Sequence, residues 1–246
     1  MKKRAPSKPA KATIRLNKFI SHAGVCSRRE ADALIQAGHI TVNGQPITTL
    51  GHQVAPNDIV KYRNKPLSPH RRVYVLLNKP KDCITTAKDP QGRRTVLDLT
   101  RQACPERIYP VGRLDRQTTG LLLLTNDGDL AKKLAHPASN VKKLYHVTLD
   151  RPISAADFAR LQAGVTLEDG VVHIDQLAIV EKDRKSLGME IHMGRNRVIR
   201  RLFEHLHYTV LKLDRVMYAH LTKKNLPRGQ WRFLTTQEVR HLKHFL

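Results

Sequence analysis

Apolar and polar positions follow two rhythms along this chain, and each change of rhythm marks an element. Leu16, Phe19, Ile20 and Ala23 recur at the spacing of an amphipathic helix, and Gly24 supplies its stop. Ser27 and Glu30 then form the capping box of a second helix, which turns Ala31, Leu34 and Ile35 inward and ends at Gly38. Ile40 and Val42 switch to strand alternation and lead into Asn43-Gly44, a hairpin turn. Two short helices and a small hairpin are expected over residues 14–60. Residues 61–72 (KYRNKPLSPHRR) hold two prolines and many charges and read as a linker.

From residue 73 the rhythm is mainly that of strands. Val73–Leu77 is an apolar run that stops at Asn78-Lys79-Pro80; Ile84–Thr86 is expected to pair with it, and Asp89-Pro90-Gln91-Gly92 to turn the chain. Leu121–Leu124 is an unbroken apolar run closed by Thr125-Asn126-Asp127-Gly128, the pattern of a fully buried strand. A short helix follows through Leu130, Ala131, Leu134 and Ala135 until Pro137 halts it. Tyr145, Val147 and Leu149 alternate as a strand, and Ser154 caps a helix running to Gly164. Strands are expected at Val165–Leu167, Val171–Ile174, Leu177–Val180 and Met189–Met193, with Glu168-Asp169-Gly170 as a turn. Ile199, Leu202, Phe203 and Leu206 form one helical stripe; Arg197, Arg200, Arg201 and Glu204 form a second. Trp231 and Phe233 close the pattern in a strand, before a helix capped by Thr235 and Glu238. Strands and helices without regular βαβ alternation make residues 73–246 an α+β domain with a mixed, mainly antiparallel sheet.

Charge narrows the function. Of 246 residues, 44 are Lys or Arg and 21 Asp or Glu, a net charge of +23 on a chain with 40% hydrophobic residues. A globular chain this basic points to a polyanion, nucleic acid first and an anionic membrane surface second. No apolar run approaches the ~18 residues of a spanning helix. The start, MKKRAPSKPAKA, lacks the apolar centre of a signal peptide, and residues 1–13 read as a disordered basic arm. Cys26, Cys83 and Cys104 are scattered and without CxxC spacing, which argues for a reducing cytoplasm and against structural zinc. None of the 13 histidines falls in an HExxH-like motif, so no metal is expected.

Three groups carry candidate chemistry. Asp115 lies between Arg113 and Arg116 on a loop braced by the Leu121–Leu124 run. An aspartate held ionised by a neighbouring guanidinium can act as a nucleophile. From these residues alone, a local turn bond or a surface ion pair is the more ordinary reading. Arg28 and Arg29 occupy the first turn of a helix, where cations oppose the macrodipole by ~0.3–1 kcal/mol each. Sequences tolerate that when an anion docks there, with Arg15, Lys18 and His22 on the same face, though a solvated charged face stays open for each residue. The arginine stripe beginning at Arg197 suits planar recognition of carboxylate or phosphate.

RLNKFISHAGVCSRREADALIQAGHITVNGQPI, most of residues 14–60, resembles the small alpha-L RNA-binding domain, the S-four type named for a ribosomal protein. That resemblance implies double-helical or junction RNA held through its backbone. YPVGRLDRQTTGLLLLTNDG, KKLYHVTL, GRNRVIRRLFEHLHYTVLKLDRV and LPRGQWRFLT are similar to the RsuA/RluB/RluF-type ribosomal RNA pseudouridine synthases, and the N-R-x-x-R-R motif looks most like the RluB branch. This second resemblance implies a cytoplasmic, monomeric enzyme that isomerises a uridine to pseudouridine in a structured loop or junction of ribosomal RNA, in the large subunit, without cofactor. It also implies a central active-site cleft in the catalytic domain. By the same resemblance Asp115 is the nucleophile, Tyr145 packs on the base and helps remove the ring-carbon proton, and Arg200 pairs with Asp115. RNA contacts are expected from Arg15, Lys18, Arg28, Arg29, Arg93, Arg94, Arg113, Arg116, Arg195, Asn196, Arg197 and Arg201. Two positions depart from the usual pattern, Gln117 and Val198, the latter standing where many relatives carry Gln. The rival reading is a non-catalytic RNA-binding or ribosome-assembly protein that retains the fold.

Overall fold

A computed structural model describes residues 13–244, so nearly all of the basic arm expected over residues 1–13 lies outside the described residues. The chain divides into two compact units between Arg71 and Arg72.

In the first unit, β1 (Ile14–Arg15) runs directly into α1 (Leu16–His22). The capping box at Ser27 and Glu30 is formed, each side chain accepting from the other's backbone N–H, and it starts α2 (Arg28–Gln36). Then come β2 (Ile40–Val42), β3 (Gln45–Pro46), β4 (Gln53–Val54), β5 (Val60–Tyr62) and β6 (Lys65–Pro66). β4 pairs with β1, and the other four form a sheet in the order β3-β2-β5-β6. Leu16, Ile20, Ala31, Ile35, Ile40, Val54 and Val60 close one core between helices and sheet. Residues 61–66, read from their charge as linker, therefore belong to this sheet. Lys61 pairs with Thr41, and Arg63 and Asn64 turn the second hairpin at φ 48° and 63°. Asn at positive φ is a familiar hairpin device; the high charge of the segment concealed the Val60/Tyr62 alternation.

The second unit opens with β7 (Tyr74–Lys79), α3 (Val96–Thr100), β8 (Tyr109–Pro110), β9 (Thr119–Thr125) and α4 (Gly128–Ala135). It continues through β10 (Lys143–Leu149), α5 (Ala155–Ala163), β11 (Val165–Leu167), β12 (Gly170–Val172), β13 (Gln176–Ile179) and β14 (Ser186–Ile191). The last elements are α6 (Val198–His205), β15 (Val210–Tyr218), β16 (Leu221–Thr222), β17 (Trp231–Phe233) and α7 (Thr236–His244). The main path of the sheet is β13-β14-β10-β15-β9-β7-β17, antiparallel throughout except where β9 meets β15. The fold is α+β with a mixed sheet, and β9 lies near its centre. Leu122 and Leu124 pack with Val75, Leu77, Val147 and Phe203 on one face. Leu121 and Leu123 pack with Tyr74, Leu76, Leu130 and Leu134 on the other. A strand covered on both sides has no polar position to offer, which is why its sequence reads as continuous leucine.

One expected strand is not formed. Ile84–Thr86 contributes only an isolated bridge between Ile84 and Thr95. Thr85 instead donates its hydroxyl to Leu114 O at 2.8 Å, so the segment braces the Asp115 loop rather than extending the sheet. Among the described residues, no helix is long and apolar enough to cross a membrane.

Candidate active site

The loop carrying Asp115 leaves β8 and returns into β9. Gly120 fixes its landing. A Cβ there would lie 2.2 Å from Arg215 O, and the residue sits at φ +106°, so only glycine lets β9 approach β15. Beneath the loop lies Lys79, 0% exposed, at the end of β7. Its Nζ donates to Thr118 O at 2.8 Å, Asp115 O at 3.0 Å, Pro80 O at 3.1 Å and Arg116 O at 3.2 Å. A single ammonium thus gathers three carbonyls of the loop and aligns the backbone on which Asp115 stands. Burial pulls Lys79 down to about 8, against the charges of Cys83, Asp115 and Asp82, which favour its proton. On the outer side, Arg116 and Gln117 both donate to Asp82 Oδ1 at 3.0 Å, which clips the loop at its exposed edge.

Asp115 opens into a cleft of about 770 Å³ whose walls include Arg113, Thr118, Lys143, Tyr145, Arg195, Asn196, Arg197, Arg215 and Tyr218. That volume suits a single nucleotide or a drug-sized ligand. Tyr145 is 8% exposed and stands across the β10–β15 ladder from Arg215. Arg215 in turn lies over the ring of Tyr218, 4.6 Å from its centroid. Lys143 donates to Val141 O at 2.8 Å and also to His192 O. Burial first, then the neighbouring Arg215, lowers Lys143 to about 8. The cleft is therefore a basic pocket whose lining includes one carboxylate and the aromatic rings of Tyr145 and Tyr218. Among the described residues, no group of three His, Cys, Asp or Glu is placed to hold a metal.

The expected ion pair between Arg200 and Asp115 is not formed; among the described residues, no cation lies within ion-pair distance of that carboxylate. Arg200 Nη1 donates to Val210 O at 3.0 Å, which turns the side chain toward β15, and its Nε is buried without a partner. Burial and then Arg197 depress the Arg200 guanidinium, while Asp115 and Glu204 act in the opposite sense, so the carboxylate is within electrostatic reach. Arg201 grips Asp169 through two bonds of 3.1 and 2.7 Å, and Arg195 donates to Gly170 O at 3.0 Å. These two arginines hold the β11–β12 turn against the start of α6. Arg197 takes φ +46° as the N-cap of α6 and contacts Glu204 at 3.2 Å. Arg93 wraps Asp89 through its backbone and side chain, closing its own loop, whereas Arg94 beside it is exposed. Val198 is buried in the core beneath α6. In the first unit Arg15, Arg28 and Arg29 are exposed and Lys18 is half-buried. Lys79, Lys143, Thr118 and Arg215 are not among the site residues expected from the sequence, although Lys143 and Arg215 fall within the motifs KKLYHVTL and GRNRVIRRLFEHLHYTVLKLDRV.

A family model described as RNA pseudouridylate synthase matches residues 73–205. The chain belongs to that family. Its first unit matches the S4 domain over residues 14–60. The chain is 42% identical to the ribosomal large subunit pseudouridine synthase B of Bacillus subtilis (strain 168), over 93% of its own length and 95% of that protein's. It is 36% identical to the dual-specificity RNA pseudouridine synthase RluF of Escherichia coli (strain K12), over 93% and 78% of the two lengths. A crystal structure of a pseudouridylate synthase superposes with a TM-score of 0.65 at 26% identity, covering 93% of this chain and 99% of that one. In this member of the family, Asp115 and the aromatic ring of Tyr145 line the same cleft of the second unit.

Proposed function

We propose that this pseudouridine synthase isomerises one uridine, or a small set, in large-subunit ribosomal RNA, acting in the cytoplasm as a monomer. The observation that carries the reading is the convergence of Asp115, Tyr145 and a row of cations on one cleft. Kinship to a protein named for the large ribosomal subunit supports the choice of RNA. The target uridine swings out of its stack, at a cost of a few kcal/mol that is least in a loop or bulge. Asp115 attacks the nucleotide as a nucleophile. The N1–C1′ bond breaks as the Asp115 carboxylate bonds to C1′, the freed uracil turns, and C5 bonds to C1′ as the Asp115–C1′ bond breaks and releases the carboxylate. C5 then gives up its proton, Tyr145 assisting, while N1 ends protonated, so substrate and product are isomers and no cofactor is consumed. Arg200 supplies positive potential toward Asp115 without touching it. Arg15, Lys18, Arg28 and Arg29 on the first unit, with Arg94, Arg113 and Arg116 on the second, hold phosphates. Arg93, Arg195, Asn196, Arg197 and Arg201 shape the loops that meet the RNA.

The test is carbodiimide primer-extension mapping of ribosomal RNA from a deletion strain. A pseudouridine missing from that strain returns with the wild-type chain and stays missing with Asp115→Asn. Return of the modification with Asp115→Asn would leave a protein that binds RNA without acting on it.

A further inference from the structure

Arg215 lines the cleft, yet the reaction through Asp115 and Tyr145 leaves it unused. It is 3% exposed, at the centre of the sheet, and among the described residues the one hydrogen bond of its side chain runs from Nε to Leu121 O at 2.8 Å. Its Nη2 is sealed from solvent without a partner. A charged donor left unmet in a protein interior is costly, and native structures rarely carry one without a use. Thr118, 2% exposed, presents a second such atom: its hydroxyl is also buried without a partner. Both residues line the Asp115 cleft, and Tyr145 faces Arg215 across the ladder. Two unmet polar groups beside an aromatic wall mark the seat of a flat ligand whose edge carries hydrogen-bonding atoms. Phosphates stay on the outer strand, within reach of an exposed cation such as Arg113. Arg215 is too deep for them, and the acceptor that reaches it belongs to the base.

On the isomerase reading, we propose that Arg215 is a further catalytic residue, donating from its guanidinium to a carbonyl oxygen of the extruded uracil. When N1–C1′ breaks, the bonding pair leaves with uracil and spreads over N1, O2 and O4. A fixed cation at a carbonyl oxygen therefore gains most in the transition state, which is the condition for catalysis rather than mere binding. Asp115 serves the sugar carbon and Arg215 the departing base. The bond to Leu121 O and the stacking on Tyr218 hold the guanidinium in place before substrate arrives.

The experiment compares two leaving groups. Unmodified large-subunit ribosomal RNA transcripts are made with uridine or with 5-fluorouridine. The single-turnover loss of the N-linked target nucleoside is then followed for the wild type, Arg215→Gln and Arg215→Lys. Fluorine withdraws electrons from the ring, so 5-fluorouracil departs with less help. The expected result is a loss of about 10²–10³-fold for Arg215→Gln on uridine, at least tenfold smaller on 5-fluorouridine, with Arg215→Lys between it and the wild type. RNA affinity is unchanged. Equal losses on the two bases, or none on uridine, overturn the proposal and leave Arg215 a structural residue. Because the comparison is made within one variant, a uniform loss of folded protein cancels, and Arg215→Lys carries the same test if Arg215→Gln does not fold. A wild type that acts on neither transcript sinks the enzyme reading itself, an outcome distinct from any failure confined to the variants.

Discussion

The starts of α2 and α6 both crowd arginines against a helix dipole, and the two regions use them in opposite ways. At α2, Arg28 makes one long bond of 3.4 Å to Asn17 Oδ1, and Arg29 is exposed with no protein partner among the described residues. The capping box already satisfies the helix end, so these charges belong to solvent or to an incoming phosphate. At α6, Arg201 is held by both oxygens of Asp169, Arg197 by Glu204 and Arg200 by Val210 O. Those charges are largely consumed in shaping the wall of the cleft. Similar clusters in sequence thus divide into one left open to solvent or phosphate and one bound into an internal scaffold, and the hydrogen bonds separate them.

The largest effect is expected where a cation is most completely consumed. Lys79→Met strands four carbonyl oxygens and should cost about 3 kcal/mol or more, seen as a melting temperature lower by roughly 6–12 °C. Catalysis falls with it because the Asp115 loop loses its anchor. An unchanged melting temperature would mean that internal cations in this unit are dispensable, and the contrast with α2 would fail.

Raising the pH should act next, through the same lysine and Lys143, both near 8 in the folded protein. Activity should decline reversibly as the pH passes 8, about tenfold or more by pH 9.5 if one proton is required. The sign for stability is opposite. Between about 8 and the ordinary lysine value near 10.5, the unfolded chain binds more protons than the folded one, so these two groups contribute stability that rises with pH. A kcat profile and a melting curve over the same range separate the two; an alkaline loss that tracks unfolding would refute the assignment.

Arg201→Ala sharpens the comparison at the cleft wall. Its half-exposed pair with Asp169 should contribute no more than about 1 kcal/mol, and the salt dependence of RNA binding should stay unchanged. The smallest change in stability, within about 0.5 kcal/mol, is expected for Arg28→Ala with Arg29→Ala. That double variant should instead lower the slope of log affinity against log salt by about 1 for each phosphate no longer held, with kcat intact. Filter binding at several salt concentrations reads this. If Arg201→Ala moved the slope and the α2 pair did not, the division of labour would be reversed.

Much of this architecture is legible in the residues themselves. The helix stripes, the capping boxes at Ser27 and Thr235, the leucine strand and the Asp115 loop all rest on neighbours a few residues apart. The second hairpin of the first unit is hidden because Arg63-Asn64 carries the look of a linker while adopting the positive φ of a turn. Ile84–Thr86 looks like a strand because it is rich in β-formers, while the decisive bond from Thr85 reaches Leu114, 29 residues away.

What the chain's order of residues determined alone was periodicity, caps, charge and the family motif around Asp115, since each depends on local spacing or composition. What the tertiary structure decided was the employment of each charge. Lys79 is a loop anchor because carbonyls 36, 37 and 39 residues downstream close around it. Arg215 faces a cleft because β9 and β10 flank it on either side and leave part of its guanidinium unmet. The cost of burying a charge depends on which groups surround it in space, and that is settled only when distant segments meet.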